Sequence, residues 1–119
     1  MRNTVVNVLD VLPATIANGQ SLSGALSLGG LRLFGIVMPA AWTAANLTFQ
    51  MSPDGGTTWV NMYDTNGTEL TATAAVSRFI AFDPTNFASI QSIKVRSGTS
   101  GTPVNQGQDS TLQLILRAV

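Results

Sequence analysis

Four carboxylates in the middle of the chain are the side chains whose types could most readily do chemistry. Asp54, Asp64, Glu69 and Asp83 could pair as acid and base in glycoside hydrolysis, or supply oxygen ligands for Ca²⁺. The three aspartates, however, stand in or beside turn sequences, where Asp commonly accepts hydrogen bonds from backbone amides. The ligand spacing of an EF-hand loop is absent. We therefore expect these carboxylates to stabilise turns and to form neither a catalytic nor a metal site.

The 119 residues include no histidine and no cysteine. This excludes an imidazole base, a thiolate nucleophile, a His/Cys zinc site and a disulfide framework. A serine activated by Lys94 is conceivable, but no spacing in the sequence supports it. No glycine cluster has the spacing of a phosphate-binding loop. We expect the protein not to be an enzyme and to need no cofactor.

Charge is sparse and balanced in this sequence. Six Lys and Arg offset six Asp and Glu, and charged residues make up 10% of the chain, against about 25% in a typical soluble domain. A nucleic-acid binder needs a basic patch, and a membrane span needs about 20 consecutive apolar residues. The sequence shows neither, whereas a near-neutral surface promotes association. We expect binding to copies of itself, and neither a nucleic-acid nor a membrane partner.

The most specific local motif spans residues 52–59, with the sequence Ser-Pro-Asp-Gly-Gly-Thr-Thr-Trp. It resembles the Asp-box hairpin of sialidases and related β-proteins, in which the box is a folding element remote from catalysis. The chemistry is that of a turn: Asp binds turn amides, Gly permits positive φ, and Trp packs beneath the hairpin. The residues that match the motif are Ser52, Asp54, Gly56, Thr58 and Trp59. We expect them to form a structural hairpin.

Aromatic and basic side chains supply the candidate contact residues. Trp42, Trp59 and Tyr63 could stack on a sugar, although aromatic residues also dominate cores and subunit interfaces. Trp59 and Tyr63 share strand parity and should face the same way. Lys94 and Arg96 share one outward strand face, where they form a solvated surface or an interface pair. The predicted contact set is Trp42, Tyr63, Lys94, Arg96 and Asn105.

Alternation of apolar and polar residues dominates the chain, and helical periodicity is nearly absent. We expect one short helical turn within 40–45 and another within 86–89. In the strand over 46–52, Thr48, Gln50 and Ser52 should point outward. The predicted strands cover residues 4–11, 21–28, 31–38, 46–52, 59–63, 69–73, 77–82, 90–96 and 110–119. About eight short strands predict an all-β fold, an antiparallel β-sandwich or jelly roll, in one domain over 1–119.

Two segments stand apart from this pattern. Residues 1–12 form a possible N-terminal arm or edge strand with apolar residues on both faces, which would be an aggregation hazard if left uncovered. We expect this strand to be covered by its own sheet or by a neighbouring subunit. Residues 97–110 form a long polar loop, and such loops are usually functional or mobile. We expect this loop to make contacts with a partner.

A resemblance of pattern covers residues 20–119. The stretch 33–50 leads directly into the Asp-box-like hairpin, and is followed by Phe-Asp-Pro at 82–84, Ile-Lys-Val-Arg-Ser-Gly-Thr at 93–99 and a Leu-rich final strand. Together these resemble a small protein type encoded in the structural gene clusters of tailed bacteriophages and prophages. The Phe-Asp-Pro turn before the Ile-Lys-Val-Arg strand is also similar to galactose-binding-like jelly rolls, whose calcium and sugar residues have no clear counterparts here.

The resemblance implies a structural protein of the virion, either a capsid decoration (cement) protein or a head-fibre or tail component. In the cement hypothesis, a homo-oligomer such as a trimer binds the major capsid protein and bridges neighbouring capsomers. The alternative is a carbohydrate-binding or host-recognition module of a fibre or tail, which would use the aromatic residues with polar residues such as Asn61 and Asn105 to bind a glycan. Localisation in the virion follows from either hypothesis.

Overall fold

The computed structural model describes residues 9–118, and these residues form a β-sandwich. Sheet A has the strand order β1-β8-β3-β6, and sheet B has the order β2-β7-β4-β5; all pairings are antiparallel. The strands are β1 Leu9–Ile16, β2 Leu26–Ser27, β3 Arg32–Val37, β4 Leu47–Ser52, β5 Val60–Asn61, β6 Phe79–Ala81, β7 Ser92–Ser97 and β8 Ser110–Arg117. The predicted all-β antiparallel sandwich of about eight short strands is confirmed. Within the described residues, no helix is long and apolar enough to cross a bilayer.

The strand order is that of one long hairpin wrapped around the core. β1 pairs with β8, β2 with β7, β3 with β6 and β4 with β5, so that the first and second halves of the chain run alongside each other. Only the β4–β5 connection stays within one sheet; every other connection between successive strands passes from one sheet to the other. The segment with the Asp-box-like sequence is therefore the tip of the wrapped hairpin.

Apolar side chains from alternate positions of both sheets fill the space between them. β8 contributes Leu112, Leu114 and Leu116, and β7 contributes Ile93 and Val95, all of them buried. This follows from the period-2 pattern in the sequence, which places every second residue on the same face of a strand. The predicted final strand and its inward leucines are confirmed.

Three phenylalanines close one end of the core. The ring of Phe49 meets Phe82 and Phe87 edge-on at centroid distances of 5.7 and 5.5 Å, and Phe82 stacks on Phe87 at 5.5 Å. Phe87 is held by a 3₁₀ turn over Pro84–Phe87, which Asp83 caps by accepting a hydrogen bond from the Thr85 N–H. The expected helical turn at 86–89 thus lies two residues earlier, because a capping Asp followed by Pro favours a turn start at that point.

The first described strand runs beyond residue 11, where the predicted strand ends, and passes through Pro13. β1 continues past Pro13 to Ile16 because it is an edge strand, in which the missing N–H costs no ladder hydrogen bond if it faces outward. The Val11 N–H donates to Asp10 Oδ1 at 3.0 Å. A carboxylate therefore covers one edge amide and Pro13 removes another, which blocks strand addition along this edge. The part of the predicted arm at residues 1–8 lies outside the described residues.

Several other expectations differ from the structure. Residues 69–73 form isolated bridges, Tyr63 with Glu69 and Leu47 with Ala72, and not a strand. Of the predicted strand at 21–28, only Leu26–Ser27 and a bridge at Leu22 are formed. No helical turn forms at 40–45. In each case tertiary contacts override a short local pattern, because a segment of a few residues carries little intrinsic preference.

The long polar loop at 97–110 is tied to the body of the protein by Gln106. Its side chain is 1% exposed, accepts from the Thr43 N–H at 2.8 Å, and donates to Thr43 O at 2.9 Å and Ser97 Oγ at 2.7 Å. The Ser110 hydroxyl and the Gln108 amide donate to the same Gln106 Oε1. The loop is therefore ordered around a buried amide, although its sequence suggested a structureless segment.

Gln106→Ala should destabilise the protein by about 2–4 kcal/mol, because the half-buried backbone of Thr43 and the buried hydroxyl of Ser97 lose their partners. The exposed neighbour Asn105 supplies the control, and Asn105→Ala should change the free energy of unfolding by less than about 0.5 kcal/mol. Urea unfolding measures both values. Equal free energies for the two variants would contradict the role assigned to Gln106.

Gly35 in β3 is required by close packing. A Cβ placed there would lie 2.3 Å from the Phe79 ring and 2.6 Å from the backbone oxygen of Ile80. Gly35→Ala should therefore cost about 1–3 kcal/mol through overpacking, measured by thermal or urea unfolding. Gly24→Ala is the matched control, since a Cβ at Gly24 meets nothing within 4 Å. If the Gly35→Ala protein is as stable as the Gly24→Ala protein, then β6 shifts to accommodate the added methyl group, and close packing does not require glycine at position 35.

Candidate functional site

The hairpin at 52–59 forms the hydrogen bonds expected from its sequence. Asp54 Oδ1 accepts from the Thr57 N–H at 3.1 Å, the Thr58 N–H at 2.8 Å and the Ser52 hydroxyl at 2.8 Å. The Ser52 oxygen in turn accepts from the Gly56 N–H at 2.7 Å. Gly55 and Gly56 have φ of 77° and 109°, which glycine adopts readily. All the hydrogen bonds that Asp54 Oδ1 accepts come from within this turn, and its role as a folding element stays a prediction.

These hydrogen bonds stabilise the ionised carboxylate. The Thr58 backbone N–H, followed by the hydroxyls of Thr58 and Ser52, lowers the pKa of Asp54 from 3.8 to about 2. Hydrogen bonds from Thr85, its hydroxyl first, lower the pKa of Asp83 in the same direction. Both shifts have local turn contacts as their cause, and neither depends on a second carboxylate.

Trp59 and Lys94 meet on the outer face of sheet B. The Lys94 ammonium lies 4.5 Å from the centroid of the Trp59 ring, a cation–π contact, and the indole N–H donates to Gly56 O at 3.1 Å. The structure thus joins a hairpin residue to a predicted contact residue that the sequence placed 35 positions away. The contact engages the Trp59 ring within its own chain.

Arg96 is buried, in contrast to the expected outward and solvated position. It forms an ion pair with Glu69 at 3.3 Å, donates to Asn61 Oδ1 at 2.7 Å, and donates to Thr48 Oγ1 at 3.3 Å. Glu69 also accepts from the Ser100 N–H at 3.1 Å. The outer face of sheet B is thus covered by the segment around Glu69 and by the start of the long loop, which is why Arg96 is enclosed.

Two other residues that were expected to point to solvent are also buried. Thr48 is fully buried and donates its hydroxyl to Gly98 O at 2.7 Å, while Ser52 is buried beneath the hairpin. Gln50, the third of this group, is half-buried, with its amide 3.3 Å from Asn61 Oδ1. Apolar and polar residues therefore alternate in β4 as predicted, but the polar side chains form hydrogen bonds within the protein, and those of Thr48 and Ser52 do not face solvent.

The remaining predicted contact residues do not form one site. Trp42 packs against the core, and its indole N–H donates to Ala45 O at 3.1 Å. Tyr63 is exposed, with its hydroxyl 3.5 Å from that of Ser100, and Asn105 is exposed at the Gln106 loop. Both indole donors are thus engaged inside the chain. No observation joins these side chains into a sugar-binding platform, and the carbohydrate alternative stays a prediction.

An open groove of about 370 Å³ lies beside the phenylalanine cluster. Phe49, Phe82 and Phe87 form its apolar part, and Asp83 and Asn86 lie at its polar part. The Asp83 carboxylate is engaged in capping the 3₁₀ turn. Among residues 9–118, no group of three acidic side chains is arranged to hold a metal ion. The absence of enzymatic activity remains a prediction.

The outer face of sheet A is the surface that sequence reasoning missed. Four of its large apolar side chains are strongly exposed: Leu9 at 58%, Val11 at 48%, Val37 at 39% and Phe79 at 54%. The register aligns Val11, Ile115, Gly35 and Ala81 in one row across the sheet, and Pro13, Gln113, Val37 and Phe79 in the next. The sheet A patch comprises Leu9, Val11, Pro13, Val37, Phe79, Ala81 and Ile115.

The signal for this patch is present in the sequence but easily misread. Residues 31–38 are apolar at nearly every position, which is typical of a central strand with both faces covered. β3 is indeed central, but one face of its sheet is open. Ile115 also interrupts the polar positions of β8, between Gln113 and Arg117. Apolar residues at outward positions of the two adjacent strands β3 and β8 were the sequence signal for this exposed patch.

Asp54→Asn should lower the melting temperature at neutral pH and flatten its dependence on pH. Because the folded pKa is below the ordinary value, the ionised Asp54 stabilises the native state fully above about pH 4–5, and this contribution is lost as pH falls towards 2. Thermal unfolding of both proteins between pH 7 and pH 2 measures the difference. Melting curves that fall in parallel would contradict the assignment.

Comparison with solved structures shows a shared fold. The crystal structure of YomS, a protein derived from the SPBc2 prophage, matches 97% of this chain and 99% of its own, with a TM-score of 0.58 and 16% sequence identity. At this identity the likeness is one of architecture. No family model and no curated protein sequence matches the chain. The chain thus has the fold of a prophage-derived protein, with a β-sandwich whose two outer faces differ sharply in character.

Proposed function

We propose that the protein is a structural component of a bacteriophage virion, a capsid decoration (cement) protein that binds the shell through the sheet A patch. The observation that carries the proposal is the exposure of Leu9, Val11, Val37 and Phe79 on one continuous sheet face. Contiguous apolar surface of this kind marks interaction sites on proteins. The likeness in fold to a prophage-derived protein supports the phage assignment.

The rigid face of a sheet suits this role. The patch side chains lie on strands that are paired on both sides (β3 and β8) or along one side (β1 and β6), so little backbone freedom would be lost on binding. The wrapped-hairpin order, which we take as that of a jelly roll, supports an assembly function, since jelly rolls recur in viral capsid domains. Many copies, acting as a homo-oligomer such as a trimer, would bridge neighbouring capsomers of the major capsid protein.

The sparse charge of the chain supports the same proposal. With 10% charged residues, the surface has few groups whose desolvation would oppose assembly. The polar face of sheet B is occupied by its own network around Arg96, which leaves sheet A as the face available for a partner. Binding through sheet A would place the Asp54 hairpin on the other sheet, away from the shell.

Val37→Glu should weaken binding to the particle at least tenfold, because it places a charge in the apolar patch. The measurement is rebinding of purified protein to phage particles produced without its gene. Val76→Glu is the matched control: Val76 is 44% exposed, against 39% for Val37, and lies in the connection before β6. Melting temperatures of both variants should stay close to that of the unchanged protein.

Mass spectrometry of purified particles tests the localisation directly, and the copy number distinguishes a decoration protein from a tail component. Absence of the chain from particles, or equal binding of the two valine variants, would overturn the proposal.

A further inference from the structure

Two arginines lie side by side at one end of the sheet A patch. Arg32 of β3 and Arg117 of β8 are directly opposite each other in the antiparallel register, and Arg117 is opposite Leu9 of β1. Both arginines point away from the core, because their sequence neighbours Leu33 and Leu116 are buried. Like charges directly opposite each other destabilise a sheet. This arginine pair, Arg32 and Arg117, thus has an unfavourable interaction that an anion would relieve.

The acidic side chains among residues 9–118 each accept a hydrogen bond elsewhere in the fold. All six acidic residues fall within the described range, and each accepts hydrogen bonds from groups other than the arginine pair. The donors are the Val11 N–H for Asp10, the hairpin amides for Asp54, the Thr68 N–H for Asp64, Arg96 for Glu69, Thr85 for Asp83 and the Asn18 N–H for Asp109. Within residues 9–118, Arg96 and Glu69 form an ion pair, and the arginine pair forms none.

We infer that the partner bound by the sheet A patch presents one or more carboxylates to Arg32 and Arg117. The inference rests on the proposed function, and it adds the chemistry of the partner at one edge of the contact. A guanidinium binds a carboxylate through two parallel hydrogen bonds, and two adjacent guanidinium groups offer a fixed site for acidic side chains.

The identity of the partner follows from the proposed function. The occupant is the capsid shell, a protein different from this chain, whose surface we expect to be apolar opposite the patch and acidic opposite the arginine pair. Binding of a second copy of this chain is a separate outcome of the test.

The composition of the surface favours a protein over a polyphosphate. Protein interfaces combine an apolar centre with arginine, which matches Leu9, Val11, Val37 and Phe79 next to the arginine pair. Nucleic-acid binding draws its affinity from many phosphate contacts, and two arginines beside an apolar patch supply few.

The test is the rebinding assay on particles produced without the gene. The double charge reversal R32E/R117E should raise the Kd at least about 30-fold, as expected when one side of a charge-paired contact is reversed. R78E is the matched control, because Arg78 is exposed and lies outside the patch and the pair; it should change the Kd by less than about threefold. R32K/R117K should recover part of the lost affinity, since lysine keeps the charge without the planar fork.

The outcomes separate this inference from the proposed function. If R32E/R117E binds particles as tightly as the unchanged protein while Val37→Glu does not, the carboxylate inference is overturned and the decoration role stands. If light scattering shows a homodimer of the unchanged protein that R32E/R117E dissociates, the partner is a second copy and the inference fails. Tighter binding to phosphatidylglycerol vesicles or duplex DNA than to particles would also overturn it. Unchanged melting temperatures of the variants exclude misfolding as the cause.

Discussion

The buried ion pair between Arg96 and Glu69 is the contact on which the organisation of sheet B depends. A buried guanidinium is tolerated only where its hydrogen-bonding groups find partners, and Arg96 finds them in Glu69, Asn61 and Thr48. These partners come from β4, β5 and the segment that follows β5, while Glu69 also holds the start of the long loop. One charged side chain thus links β4, β5, the segment after β5 and, through Glu69, the start of the long loop.

This arrangement explains why the two outer faces of the sandwich differ. Sheet B has its outer face covered by its own loops, and the polar side chains there satisfy one another. Sheet A receives no such cover among the described residues, and its outer face carries Val11, Val37 and Phe79. The wrapped chain folds its long connection after β5 and its long loop after β7 against sheet B. Because these segments cover sheet B, they leave the apolar outer face of sheet A exposed.

Sequence patterns predicted the strands well where alternation was long and regular, as in β8 and β4, because burial of one face imposes that pattern directly. They also predicted the turn chemistry around Asp54, which is local. They failed where burial depends on distant segments: Arg96 and Thr48 look solvent-facing in sequence, and only the covering segments enclose them. The exposure of Gln106 and Val37 was hard to predict for the same reason. The polar Gln106 is buried because it finds hydrogen-bond partners in distant segments, whereas the apolar Val37 is exposed because no described segment covers it.

The closed edge of β1 has a consequence for the behaviour of the protein at high concentration. Of the four strands at sheet edges, β2, β5 and β6 have two or three residues, and only β1 is long enough to template another strand. Asp10 and Pro13 remove two successive outward amides from that strand. The described part of this edge therefore offers few free amides to a strand of a second molecule, which disfavours extension of sheet A from one copy to the next.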